Sequence, residues 1–329
     1  MTMQHRRLGK TGYDISAIGF GAWAIGGSWG QVDDATSMRA LHAAADAGVT
    51  LYDTADVYGD GHSEQLIARF LRERSGERLI VATKMGRRVD QITANYTAEH
   101  FAEWNLRSRE NLGVECLDLV QLHCPPTDLF YHPEVFAALD EMVASGVIAH
   151  YGVSVERVEE GLKALEYPGV ASVQIIYNMV RQRPADRFLA EAAAHDVGVL
   201  ARVPMASGLL TGKLTAASTF AADDHRNFNR HGESFDMGET FSGLDYKVGL
   251  DVVERLRPLV PDGATMGQLA LRWILMSDAV TAAIPGARTP EQAQANAAAA
   301  DLGPLSADTM AQIRMIYDEL ARPLVHQRW

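Results

Sequence analysis

The stretch Leu117–Ser154, LDLVQLHCPPTDLFYHPEVFAALDEMVASGVIAHYGVS, holds one complete turn of a repeating pattern. Leu117–His123 is a short apolar run that closes on a polar residue. Pro125-Pro126 breaks it. His132–Ser145 then reads as a helix ending at Gly146, because glycine supplies the left-handed residue that stops helices. A second apolar run, Ile148–Ser154, follows. The unit is strand, helix, strand.

The same unit extends in both directions. Further strand-like runs are Ala17–Trp23, Thr50–Thr54, Leu79–Lys84, Ser172–Asn178, Val199–Pro204 and Val280–Pro285, which makes eight. Most are continuously apolar and do not alternate, the pattern of strands covered on both faces and paired in parallel. Helix-like segments lie between them at Asp34–Ala47, Ser63–Arg74, Ala98–Leu112, Ala185–His195, Met266–Met276 and Pro290–Ala300. Alternating strands and helices fit a closed barrel or an open doubly wound sheet. Eight is the strand number that closes a filled barrel. Polar residues recur where the runs end, at Asp53, Lys84, His123, Ser154, Asn178 and Arg202. In a closed barrel they would ring one mouth, where this architecture assembles active sites. The expected fold is therefore a (β/α)8 TIM barrel, a single domain over residues 1–329. The segment His5–Ile15 reads as a hairpin plugging its floor. A long polar segment after the seventh strand, Thr215–Tyr246, carries Phe220, Phe228, Phe235 and Phe241 and reads as a lid.

Composition narrows the function. Of 329 residues, 47% are hydrophobic, and 30 basic against 42 acidic residues give a net charge of −12. An acidic chain without a Lys/Arg cluster is a poor nucleic-acid binder. No apolar run approaches the roughly 18 residues of a membrane helix, and the first ten residues lack the apolar core of a signal peptide. Cys116 and Cys124, the only cysteines, form neither a disulfide framework nor a metal motif. The expectation is a cytoplasmic protein that binds neither nucleic acid, membrane nor metal; its oligomeric state stays open.

The chemistry concentrates in Asp53-Thr54-Ala55-Asp56-Val57-Tyr58-Gly59 and in the strand-end residues Lys84 and His123. They resemble the catalytic residues of the aldo-keto reductases, which implies carbonyl reduction, a reaction that requires a proton for the developing alkoxide. Free tyrosine, with a pKa near 10, is a slow acid at neutral pH. A lysine ammonium beside Tyr58 should pull that value toward the working range. Asp53 would hold Lys84 charged, and a neutral His123 can donate an N–H to the carbonyl oxygen.

These motifs resemble the aldo-keto reductase signature. The resemblance continues through Gly61, Ser63 and Glu64, Val81-Ala82-Thr83-Lys84, Asp118–His123, Gly152-Val153-Ser154, Gly208–Lys213 and Ile284-Pro285-Gly286, in family order along nearly the whole chain. It implies a catalytic tetrad of Asp53, Tyr58, Lys84 and His123, reduction of a small-molecule carbonyl substrate by NADPH, and substrate contacts from Trp23, Tyr58 and His123. Gly19-Phe20-Gly21-Ala22-Trp23-Ala24 mimics a dinucleotide fingerprint, but it opens into a glycine-rich loop and not a helix. The resemblance makes Gly21 and Trp23 contacts of cofactor or substrate. It assigns the nicotinamide amide to Ser154 and Gln174, with Asn178 as a weaker candidate. The phosphates fall to Gly208, Leu209, Gly212 and Lys213 and to the turn at Gly286. Arg288 matches the basic residue for the 2′-phosphate, and Gln292 and Asn296, one helical turn apart, face the adenine.

The chain departs from the family at Val155, where asparagine is usual, at Ala295, where an acid is common, and at Cys124. It departs again at Arg202, near which a tyrosine commonly stacks on the nicotinamide; a guanidinium can stack there instead. Trp29, Trp329 and the lid phenylalanines are expected to wall the substrate pocket. Two other readings remain: a lyase forming a Schiff base on Lys84, and a non-catalytic NADPH-binding regulatory subunit.

Overall fold

The computed structural model describes residues 3–27 and 33–329. Two short antiparallel strands, β1 (His5–Arg7) and β2 (Asp14–Ser16), pair His5 with Ser16. Eight parallel strands follow: β3 (Phe20–Gly21), β4 (Leu51–Asp53), β5 (Ile80–Met85), β6 (Leu117–His123), β7 (Ile148–Val155), β8 (Val170–Ile176), β9 (Gly198–Arg202) and β10 (Ala282–Ala283). Each pairs with its sequence neighbour, β3 to β10 in order. The ends meet: Gly19 N–H donates to Ala283 O at 2.8 Å, and Ala283 N–H donates to Ala17 O at 3.0 Å. Parallel bridges join Ile18 to Ala283 and Gly21 to Gly286. The eight anticipated runs are these eight strands. The first is shorter than its apolar run because its regular ladder covers only Phe20 and Gly21, with closure left to single bridges.

The hairpin lies under the barrel. Leu8 and Ile15 are fully buried in one cluster with Leu51, Ile80, Leu119 and Leu200. A Cβ on Gly198 would sit 2.4 Å from Leu8 Cδ1, so β9 needs glycine where the plug enters.

Helices cover the outside. Before β9 they are α1 (Asp34–Asp46), α2 (His62–Glu73), α3 (Ala98–Leu112), α4 (Pro133–Ala144), α5 (Val158–Ala164) and α6 (Phe188–Ala194). After it come α7 (His225–Phe228), α8 (Tyr246–Leu256), α9 (Met266–Leu275), α10 (Pro290–Ala297) and α11 (Ala307–Ile316). Where caps are written in the chain, the bounds match the sequence. The Thr97 hydroxyl accepts the His100 N–H, and Gly113 at φ 68 ends α3. Elsewhere they move: α6 starts late because Arg183–Asp186, with Pro184, forms a 3-10 turn. Helices α5, α7, α8 and α11 were not anticipated. Among the described residues no helix is long and apolar enough to cross a membrane.

The segment after β9 is more ordered than its polarity suggests. Its Asn229, fully buried, accepts the Ser234 and Phe235 N–H groups at 2.8 and 2.9 Å. His225 and Thr240 are buried beside it. One side-chain amide thus replaces the backbone ladder that a loop lacks.

Candidate active site

Parallel pairing carries the strand-end residues to one level. Asp53 registers with Ala82, Lys84 with Gln121, His123 with Ser154, and Ser154 with Gln174. At the C-terminal mouth Lys84 is 1% exposed and Asp53 5%. The Lys84 Nζ donates to Asp53 Oδ1 at 2.6 Å, to Thr54 O at 2.8 Å and to the Tyr58 hydroxyl at 3.4 Å. Gln174 Nε2 donates to the other Asp53 oxygen at 2.7 Å. The Tyr58 and His123 rings meet edge to face, 5.9 Å between centroids. The four residues named from sequence therefore converge, with Lys84 behind Tyr58 and Asp53, out of the cavity.

Charge states follow from these surroundings. Burial works against the Lys84 ammonium, but Asp53 and Tyr58 outweigh it and its pKa is raised. Burial, with the Arg87, Lys84 and Arg202 charges, holds His123 well below the usual histidine range, so the ring is neutral. Tyr58 runs against the sequence expectation. Lys84 does favour its phenolate, but burial pushes the other way, helped by Asp53, and the hydroxyl ends above the ordinary tyrosine value. Desolvation, invisible in sequence, is the stronger effect.

A cavity of about 440 Å³ opens from this cluster, within the usual range for small-ligand sites. At its inner end lie Gly21, Trp23, Asp53, Tyr58, His123, Ser154, Gln174 and Arg202. Trp23 stacks near Tyr58 at 6.1 Å and on His225 of α7 at 4.8 Å, and meets Phe235 edge-on at 6.1 Å. The lid thus reaches Trp23. The outer arm is cationic and polar, lined by Gly208, Lys213, Arg226, Gly286, Arg288, Gln292 and Asn296. Gln292 Oε1 accepts the Arg288 N–H at 2.8 Å, and Asn296 Nδ2 donates to Gly286 O at 3.2 Å. Both side chains pin the turn that carries Arg288. Strained backbone borders the cavity: Val203 (φ 50), Ala206 (φ 46) and Ser207 (φ 55) are left-handed without being glycine. Such residues concentrate at ligand sites.

Several sequence expectations land elsewhere. Leu209 and Gly212 do not line the cavity. Leu209 is fully buried, its methyls against Gly249 of α8, and Gly212 closes a turn at φ 70. Asn178 spends its amide on structure: it donates to Val203 O and Ser242 Oγ and accepts from Val180 N–H. Trp329 does not wall the cavity either. It is buried under the lid, donating to Asp236 Oδ1 at 3.0 Å beneath the Arg181 guanidinium at 4.3 Å. Trp29 lies outside the described residues.

Arg202 belongs to a buried ionic cluster that sequence reading missed. Its guanidinium meets Glu156 at 2.9 Å and Glu239 at 3.6 Å and donates to Val155 O at 3.1 Å. The two family departures at 155 and 202 thus touch, through a carbonyl that any residue supplies. Arg87 binds Glu239 at 3.1 Å and donates to His123 O at 3.2 Å. Burial raises the Glu156 pKa; it opposes the Glu239 carboxylate too, but Arg87 and Arg202 hold that group low. Cys124, Glu156 and Glu239 have metal-ligand spacing, but guanidinia already occupy both carboxylates. Thr265 and Gln268, at the start of α9, and Arg226 also line the cavity without having been anticipated. No local motif marks them.

Comparison with known proteins agrees with this geometry. Residues 17–318 match the model of the Aldo/keto reductase family. Aldo-keto reductase YhdN of Bacillus subtilis (strain 168) is 31% identical over 299 residues, 89% of this chain and 87% of that one. A probable voltage-gated potassium channel subunit beta of Arabidopsis thaliana is 28% identical, covering 92% of this chain and 93% of its own. Among solved structures, aldo-keto reductase AKR11C1 from Bacillus halodurans in its holo form superposes with a TM-score of 0.76 at 26% identity, over 95% of this chain and 96% of that one. Eight parallel strands closed over a hairpin, with a match running almost end to end, make this chain a member of the aldo/keto reductase family.

Proposed function

We propose that this protein reduces an aldehyde or ketone to the alcohol with NADPH, Tyr58 giving the proton. The observation that carries the proposal is the Asp53–Lys84–Tyr58 chain at 2.6 and 3.4 Å with His123 at its side. The cavity fits the cofactor. Its inner end offers Ser154 and Gln174, and its outer arm offers the Ser207-Gly208 turn with Lys213, Arg226 and Arg288 for phosphate. Bound there, NADPH supplies the hydride.

The protein's own residues supply the rest. Neutral His123 directs the carbonyl oxygen. Tyr58 keeps its proton at neutral pH and releases it only to a strongly basic alkoxide. A raised phenol pKa makes Tyr58 a weaker acid than free tyrosine but keeps it protonated through neutral pH, the form that reduction requires. Lys84 stays an ammonium with its donors engaged, so it lacks the lone pair that a Schiff base requires.

The test is Tyr58→Phe. Turnover across a carbonyl panel should vanish while NADPH still quenches tryptophan fluorescence; full turnover in the variant refutes the assignment. A second reading, a cofactor-binding regulatory subunit, is favoured by the likeness to the plant protein named as a probable channel subunit. A stable heteromeric complex with negligible wild-type turnover would select it.

A further inference from the structure

One layer below the cluster, the barrel interior stays polar without an evident reason. On β6 the inward side chains run Leu119, Gln121, His123. Gln121 registers with Gly152 of β7, and Gly152 with Ser172 of β8. Gln121 and Ser172 are both 0% exposed. A Cβ on Gly152 would lie 2.2 Å from Ser172 Oγ. The hydroxyl therefore fills the space a side chain at 152 would take, beside Gln121. Gln121 Nε2 and Oε1, Ser172 Oγ and His123 Nδ1 are all buried without a hydrogen-bond partner among the described residues. Their neighbours cannot serve them. Lys84 spends its donors on Asp53, Thr54 and Tyr58, and the two Asp53 oxygens are taken by Lys84 and Gln174.

Four orphaned polar atoms on β6 and β8, the strands that flank β7, have both donors and acceptors among them. Buried polar groups in such numbers are normally satisfied by internal water, which needs two to four polar partners. We infer that Gln121, Ser172 and Nδ1 of His123 form a buried water site behind the reaction centre, and that Gln121 is a positioning residue that fixes the His123 tautomer through it. The inference rests on the reading that His123 directs the carbonyl. A neutral imidazole carries one proton. Water donating to Nδ1 keeps that proton on Nε2, the nitrogen left to point a donor at the carbonyl oxygen. Gln121 Oε1 accepts the water's other hydrogen, and Gln121 Nε2 and the Ser172 hydroxyl donate to the water oxygen.

The test uses ¹⁵N-histidine NMR on the cofactor-free full-length protein, with kinetics alongside. Wild type should show His123 protonated at Nε2, with Nδ1 shifted as a hydrogen-bond acceptor. A high-resolution crystal structure should show water between Gln121 and Ser172. Gln121→Met conserves volume. It should mix the tautomers and lower kcat about tenfold, with substrate KM and NADPH affinity changed less than twofold. Ser172→Ala should move both readouts the same way by less. Unchanged His123 signals and unchanged kcat in Gln121→Met overturn the inference. If that variant does not fold, the same outcome in Ser172→Ala overturns it. Altered signals in a protein that reduces no carbonyl would keep the water site and remove the reductase reading.

Discussion

Replacing Lys84 with methionine separates what the buried ion pair does for folding from what it does for chemistry. The substitution keeps the side-chain volume and removes an ammonium that is 1% exposed. It leaves Asp53 buried with only the Gln174 amide at 2.7 Å. Breaking one side of such a pair costs about 3–5 kcal/mol. For 329 residues the unfolding entropy is about 0.7 kcal/mol/K, so Tm should fall by about 4–7 °C. Asp53→Asn in the same chain removes the stranded charge and keeps an acceptor for Gln174. The double variant should lie within about 1–2 °C of wild type, because deleting both partners of a buried pair costs little. Turnover should not follow. An ammonium 3.4 Å from the Tyr58 hydroxyl is worth about 5 kcal/mol against a phenolate at an effective dielectric of about 20. Lys84→Met keeps the opposing Asp53 carboxylate and loses the full amount, so kcat should drop by more than about 10³-fold, while the double variant removes that carboxylate too and should drop about 10²- to 10³-fold. Thermal melts and NADPH-consumption rates on the same preparations are the assay. Recovery of turnover together with Tm in the double variant would refute the argument, since Lys84 would then act only through folding.

Three further outcomes follow from the same geometry. His123 is held well below its ordinary pKa and His225 is lowered to about 4, both chiefly by burial. The unfolded chain therefore binds more protons below about pH 6.5, and stability should fall as pH drops from about 6.5 toward 4; a Tm flat across that window contradicts it. The reduction rate should hold level through neutral pH and decline only above about 10, because the Tyr58 pKa is raised; a fall centred near pH 8 would show that Lys84 outweighs burial. Arg288→Ala should cut the preference for NADPH over NADH about 10- to 100-fold, the loss of one charge-assisted phosphate contact, while leaving kcat on NADH near wild type; an unchanged preference places the 2′-phosphate elsewhere.

The barrel could be read from the chain because its elements are encoded locally. Unbroken apolar runs such as Leu119–Leu122 demand cover on both faces, and caps such as Thr97 and Gly113 set helix ends within a few residues. The positions of Asp53, Tyr58, Lys84 and His123 were legible because each lies at or just past a strand end, and closing eight parallel strands brings strand ends together. Helix α5 escaped notice because it is only seven residues long, too short for its apolar spacing to stand out.

Only tertiary structure decided what those residues experience. The Tyr58 pKa rises because burial outweighs a nearby charge, and desolvation depends on everything packed around the ring. Arg202 is fixed by Glu156 and Glu239, partners 46 residues before it and 37 after it in the chain. Trp329, an apparent pocket wall, turns under the lid to meet Arg181 and Asp236. Residue type and spacing set which chain segments became strands and helices, because those preferences act over a few residues. Charge state, solvation and long-range partners are sums over the folded neighbourhood, and they exist only once the barrel has closed.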